Sequence, residues 1–188
     1  MKQTLMALML LLAGTIAQAG GYYDYSMEID EYEQSGTYYY NGVEIKEEGG
    51  LLKGDDRKTV DIAVVNLATG KTAYFFNGAN NGEIVTFAYE DAYDAVKGVM
   101  AFNRSDRGAP VKNNVNLPKR APKEKVLLVT WDKAANLYRM WFSDKSGKKP
   151  EKVRQYGREV EWHIDLKNAK IRFVTQAERA IKVETVEW

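Results

Sequence analysis

Residues 159–166 read EVEWHIDL, and the reading of this octapeptide decides the fold. Val160, Trp162, Ile164 and Leu166 share one parity, and Glu159, Glu161, His163 and Asp165 share the other. A period of two sends alternate side chains to opposite faces of an extended strand. One apolar face and one wet face mark an antiparallel sheet packed on a single side. Lys167-Asn168-Ala169-Lys170 is a polar break, and Ile171–Gln176 and Ala180–Glu187 read as two further strands.

The same pattern recurs toward the N-terminus. Lys125–Trp131 carries Val126, Leu127, Leu128 and Val129 in succession, so this strand is expected to be buried on both faces. Asp132–Asn136 turns the chain, and Leu137–Phe142 returns with Tyr138, Met140 and Phe142 alternating against Arg139 and Trp141. Thr59–Leu67, the turn Ala68–Lys71 and Thr72–Phe76 form a second hairpin. Tyr38-Tyr39-Tyr40 is expected to face Val43-Glu44-Ile45 across Asn41-Gly42, a pair that readily takes the positive φ angles of a tight hairpin turn. The whole predicts a mainly β protein, an antiparallel meander forming a single sandwich or a lipocalin-like barrel, with about eight to ten strands. One stretch departs from the rule. Tyr89, Ala92, Tyr93 and Val96 recur at helical spacing ahead of Gly98, which predicts one short helix over residues 86–97.

Leu127–Gly147, LLVTWDKAANLYRMWFSDKSG, resembles hairpins of lipocalin-like meander barrels, in which an Asp turn precedes an aromatic strand and a Gly turn. The resemblance is local and transfers no residue roles.

The chain begins MKQTLMALMLLLAGTIAQA. A basic Lys2, an apolar run Leu5–Leu12 and Ala17-Gln18-Ala19 are the three parts of a secretory signal peptide, so residues 1–19 are expected to be removed. The apolar run is shorter than the roughly 20 residues a spanning helix needs, so the processed chain is not expected to span a membrane. What remains, residues 20–188, reads as a single β-rich domain located in the periplasm or secreted. An outer-membrane barrel is disfavoured because Glu184 and Lys182 interrupt the apolar row counted back from Trp188.

The 188 residues include no Cys and one His, which excludes a disulfide framework, thiolate metal sites and the common multi-histidine centres. No phosphate-binding glycine loop, serine elbow or metalloprotease helix occurs, and no cofactor is expected. His163 is the one imidazole and the sole, weak, catalytic candidate; its parity places it on the polar side of its strand. Formal charge is close to balanced, yet unevenly spread. Residues 20–50 hold eight acids against Lys46, whereas residues 104–158 hold 15 bases against five acids. Within the latter lies a long basic loop, 103–124, with three of the four prolines.

Aromatic and basic residues are therefore the available contact groups: Arg104, Arg107, Lys119 and Arg120 in the loop, Trp131, Tyr138 and Trp141 in the central hairpin, and Tyr38 and Tyr40 in the tyrosine run. They predict an exported, non-catalytic binding protein that contacts a partner protein or an envelope component with an acidic surface. Nucleic acid does not suit a secreted, near-neutral chain. Two alternatives follow from the same residues: a lipocalin-like carrier of a small apolar ligand, and an enzyme acting on an acidic polysaccharide with His163, a Tyr and an Arg in one cleft.

Overall fold

The computed structural model describes residues 27–47, 56–79, 82–103, 109–178 and 180–188. The expected signal peptide, Arg104 and Arg107 lie outside the described residues. Among the described residues thirteen strands follow one another: β1 (Asp30–Tyr32), β2 (Tyr38–Glu47), β3 (Asp56–Asn66), β4 (Thr72–Tyr74), β5 (Glu83–Asp94), β6 (Val99–Phe102), β7 (Val111–Lys112), β8 (Val126–Asp132), β9 (Leu137–Ser143), β10 (Glu151–Tyr156), β11 (Val160–Asp165), β12 (Lys170–Ala177) and β13 (Ala180–Glu187). They form three open sheets, ordered β1-β2-β3-β4, β10-β9-β8-β5-β6 and β13-β12-β11-β7. All pairings are antiparallel except β7 with β11. The architecture is a layered sandwich; the sheets do not close into a barrel.

The β10–β6 sheet is the middle layer, and β8 shows why. Val126 and Leu128 join Ile29, Tyr40, Ile62, Val64, Phe75, Phe87 and Tyr89 in one core against the β1–β4 sheet. Leu127, Val129 and Trp131 join Met140, Tyr156, Ile164, Ile171, Phe173 and Trp188 in a second core against the β11–β13 layer. A strand with a core on each side must be apolar at consecutive positions, which is what the run from Val126 to Val129 supplies. In β11, Ile164 is buried, and Val160 and Trp162 pack against the second core from the same face.

The helix expected over 86–97 is instead most of β5, a correction with the same cause. Phe87, Ala88 and Tyr89 are all buried because both faces of β5 are covered. Packing at both parities, with a bulge between Ile84 and Thr86, erases the period of two and leaves spacings that mimic a helix. Gly98, at φ +64°, closes the tight turn into β6, where Asp94 accepts the Val96 and Lys97 amides. The Asn41-Gly42 hairpin is also absent. Both residues lie inside the continuous strand β2, paired with β1 on one side and β3 on the other. Glycine is needed there for close approach: a β-carbon on Gly42 would stand 3.2 Å from the Thr59 methyl and 3.5 Å from Ile29.

The described part of the basic loop is strapped to the body. Leu117 is buried, its amide donates to the Gly98 carbonyl, and its own carbonyl accepts the Tyr93 hydroxyl at 2.7 Å. The Asn114 side chain bonds both backbone groups of Met100.

Candidate functional site

Of the residues singled out in the sequence, Tyr40, Trp131 and Tyr138 are buried, and Tyr38, Trp141 and Arg120 are half-buried. Tyr40 is fully buried, donating its hydroxyl to the Lys145 carbonyl at 2.9 Å. Trp131 and Tyr138 are buried and begin a column of rings, with centroids 4.4 Å apart, that continues through Tyr156 to Phe173. The Arg158 guanidinium lies 4.6 Å above Trp131 and that of Arg154 4.3 Å above Phe173. Such stacking holds the column together and covers its ends. Trp141 is half-buried, its indole N–H bonded to Thr130 Oγ1 and its ring edge-on to Phe76. Tyr38 is half-buried and packs at the margin of the first core, 6.4 Å from Tyr40.

Arg120, half-buried, is committed to a partner within the chain. Glu90, wholly buried on β5, accepts both Arg120 terminal nitrogens, the Lys123 amide at 2.9 Å and the Trp188 indole N–H at 2.8 Å. Burial alone raises the carboxyl's pKa, but these four donors outweigh it and hold the pKa below its ordinary value. The Lys123 ammonium closes the cluster on the Trp188 carbonyl. Of the four loop cations singled out in the sequence, Lys119 is the one found exposed among the described residues.

Two other buried polar clusters are equally well supplied. Lys145 and Glu33 form an ion pair at 2.6 Å with both side chains buried, and Ser35 donates to the second Glu33 oxygen. Glu31 beside them accepts Asn103, whose own amide oxygen bonds the Tyr89 backbone. Burial, with these carboxylates behind it, drives the Tyr40 and Tyr89 hydroxyl pKa values far above ordinary, so both stay protonated. Asp165 accepts Asn113, Asn168 and Arg172, and these donors overcome its desolvation and hold it far below the usual carboxylate range. Saturated clusters of this kind hold loops to sheets. No group of His, Asp and Glu suited to a metal ion occurs among the described residues.

His163 lies on the solvent side of β11, directly across from Arg172. Burial and the charge of Lys112 lower its pKa, so the ring is neutral at neutral pH. Its cross-strand partner is a cation already used by Asp165.

What sequence reasoning missed is the outer face of the β1–β4 sheet. Tyr40 and Val64 point into the core, so the pleat turns Tyr39 and Val65 outward, and the register aligns Tyr32 with Tyr39 and Tyr74 with Ala63. Tyr32 is 68% exposed and Tyr74 46%. The Tyr32 and Tyr39 rings lie 4.7 Å apart. The Tyr39 hydroxyl donates to Asp30 at 2.8 Å and accepts from Asn41 at 3.2 Å. The hydrogen bond to Asp30 is the main reason its pKa is raised. Three tyrosines and two polar side chains thus share one rigid surface roughly 14 Å across. No protein-family model, curated protein or solved structure matches the chain.

Proposed function

We propose that this is an exported, non-catalytic binding protein that engages a glycan of the cell envelope or extracellular space on the outer face of β1–β4. The observation that carries the reading is the exposure of Tyr32 and Tyr74 on the face that also carries Tyr39, while Tyr40 is packed inside. A ring held flat on a strand loses little entropy on contact and offers an apolar face with a polar rim. Asp30, Asn41 and the Tyr39 hydroxyl add acceptors and donors in the same plane, which suits a ligand bearing both C–H faces and hydroxyls.

An acidic partner bound through the basic segment has less support. Arg120 is internally paired, and exposed Lys133 and Lys148–Lys149 sit in turns at opposite ends of β9 rather than on one surface. The carrier alternative loses its barrel.

Cosedimentation with purified sacculi and a panel of insoluble polysaccharides tests the proposal. The wild type is expected in the pellet with at least one of them, and Tyr32→Ala/Tyr74→Ala in the supernatant with an unchanged melting temperature. A wild type that no polysaccharide retains, or a double variant retained like the wild type, overturns it.

A further inference from the structure

Of the six edge strands among the described residues, β13 stands apart. β1, β4, β6 and β7 have two to four residues, and β10, with six, is broken by a bulge between Lys152 and Arg154. β13 has eight residues and runs in unbroken register with β12 from Ala177↔Ala180 to Lys170↔Glu187. Short or bulged edges resist pairing with another chain, whereas a long regular one offers a row of free backbone groups.

Those groups can be assigned. The Trp188 amide donates to the Ala169 carbonyl, so Trp188 bonds toward β12. In an antiparallel ladder both backbone groups of a residue point the same way and alternate along the strand. Val186, Glu184 and Lys182 therefore bond toward β12, and Thr185, Val183 and Ile181 point toward the open edge. The Glu187 carbonyl obeys this parity, reaching outward to Lys125. On the solvent face of the sheet, Ile181 and Val183 are 70% and 49% exposed.

We propose that β13 is a homodimerisation strand, pairing antiparallel with β13 of a second copy about a two-fold axis through Val183. Charge selects this occupant and this register. A centre on Val183 makes Val183–Val183 and Ile181–Thr185 hydrogen-bonded pairs and sets Lys182 opposite Glu184 of the other copy, twice, at the close non-hydrogen-bonded positions. A centre on Lys182 or Glu184 would confront like charges. Charges on an edge strand usually deter pairing, but here opposite signs two residues apart are self-complementary. In the single chain the two side chains already lie 3.2 Å apart, Lys182 exposed and Glu184 half-buried and also held by Arg154.

Sedimentation velocity over a range of protein concentrations tests this with two variants. Val183→Pro removes only an outward amide, so it should keep the wild-type far-ultraviolet circular dichroism while abolishing pairing. Lys182→Glu places like charges across both symmetric pairs and should weaken association on the order of tenfold. A wild type that shifts from monomer to dimer with concentration, a Val183→Pro that remains monomeric and a Lys182→Glu that dimerises only at about tenfold higher concentration are the expected results. A wild type that stays monomeric throughout, or variants that dimerise like it, would overturn the assignment. Retention by glycans is measured separately, so either proposal can fail without the other.

Discussion

Arg120 and Glu90, thirty residues apart in sequence, meet as a two-pronged ion pair with contacts of 2.5 and 2.7 Å, and the carboxylate is wholly buried. The pair fastens the proline-containing loop and the C-terminal Trp188 to the middle sheet. Removing the guanidinium would leave a buried charge without its main partner, so Arg120→Ala should cost about 3 kcal/mol. Lys119→Ala, one residue away and exposed, should change stability by less than about 0.5 kcal/mol. Urea unfolding of the two variants separates a structural strap from a solvent-facing loop; equal midpoints would refute the strap.

Lys145 and Glu33 supply a second case. With both side chains buried, Lys145→Met alone should destabilise by about 3–5 kcal/mol, because Glu33 stays behind unpaired. Glu33→Gln combined with Lys145→Met leaves no net charge and should recover most of that loss. A double-mutant cycle by thermal melting reads the coupling directly.

Acid should attack the molecule at Asp165 and Glu90. Both carboxyls have folded-state pKa values lowered below ordinary. A depressed carboxyl contributes stability that is complete above its unfolded pKa, about 4 for either group, and is lost as pH falls through the folded value. Melting temperature should therefore decline as pH drops below about 4. In Asp165→Asn the protein should be less stable at neutral pH and the decline shallower. An acid slope identical to that of the wild type would mean that Asp165 takes up its proton at the same pH in the folded and unfolded chain, so that its pKa is not lowered by folding.

How much of this was legible depended on how many faces a strand buries. β11 has one covered side, and its alternation is written plainly from Val160 to Ile164. β5 has two, and its residues imitated a helix. Asn41-Gly42 carries a strong local turn signal, but neighbours on both sides of β2 override it. The tyrosine run was visible, whereas the parity that sends Tyr40 inward and Tyr39 outward is fixed only when the sheet finds its packing partner. Tyr32 and Tyr74 come from three-residue strands, too short for any period to show. Arg120 looked free because its partner Glu90 lay inside the misread segment.

The layered architecture itself makes the last prediction. Leu127 and Leu128 are neighbours in sequence, both fully buried, and project into different cores. In a two-layer sandwich one of the two would face solvent, and its truncation would cost little. With a sheet on each side of β8, Leu127→Ala and Leu128→Ala should each destabilise by about 2–5 kcal/mol, the lost transfer energy plus the cavity left behind. Because the cavities open on opposite faces, the double variant should lose nearly the sum of the two. Chemical denaturation of the three variants measures all of this. A near-neutral Leu127→Ala or Leu128→Ala would mean that one of the outer layers does not pack against the central sheet.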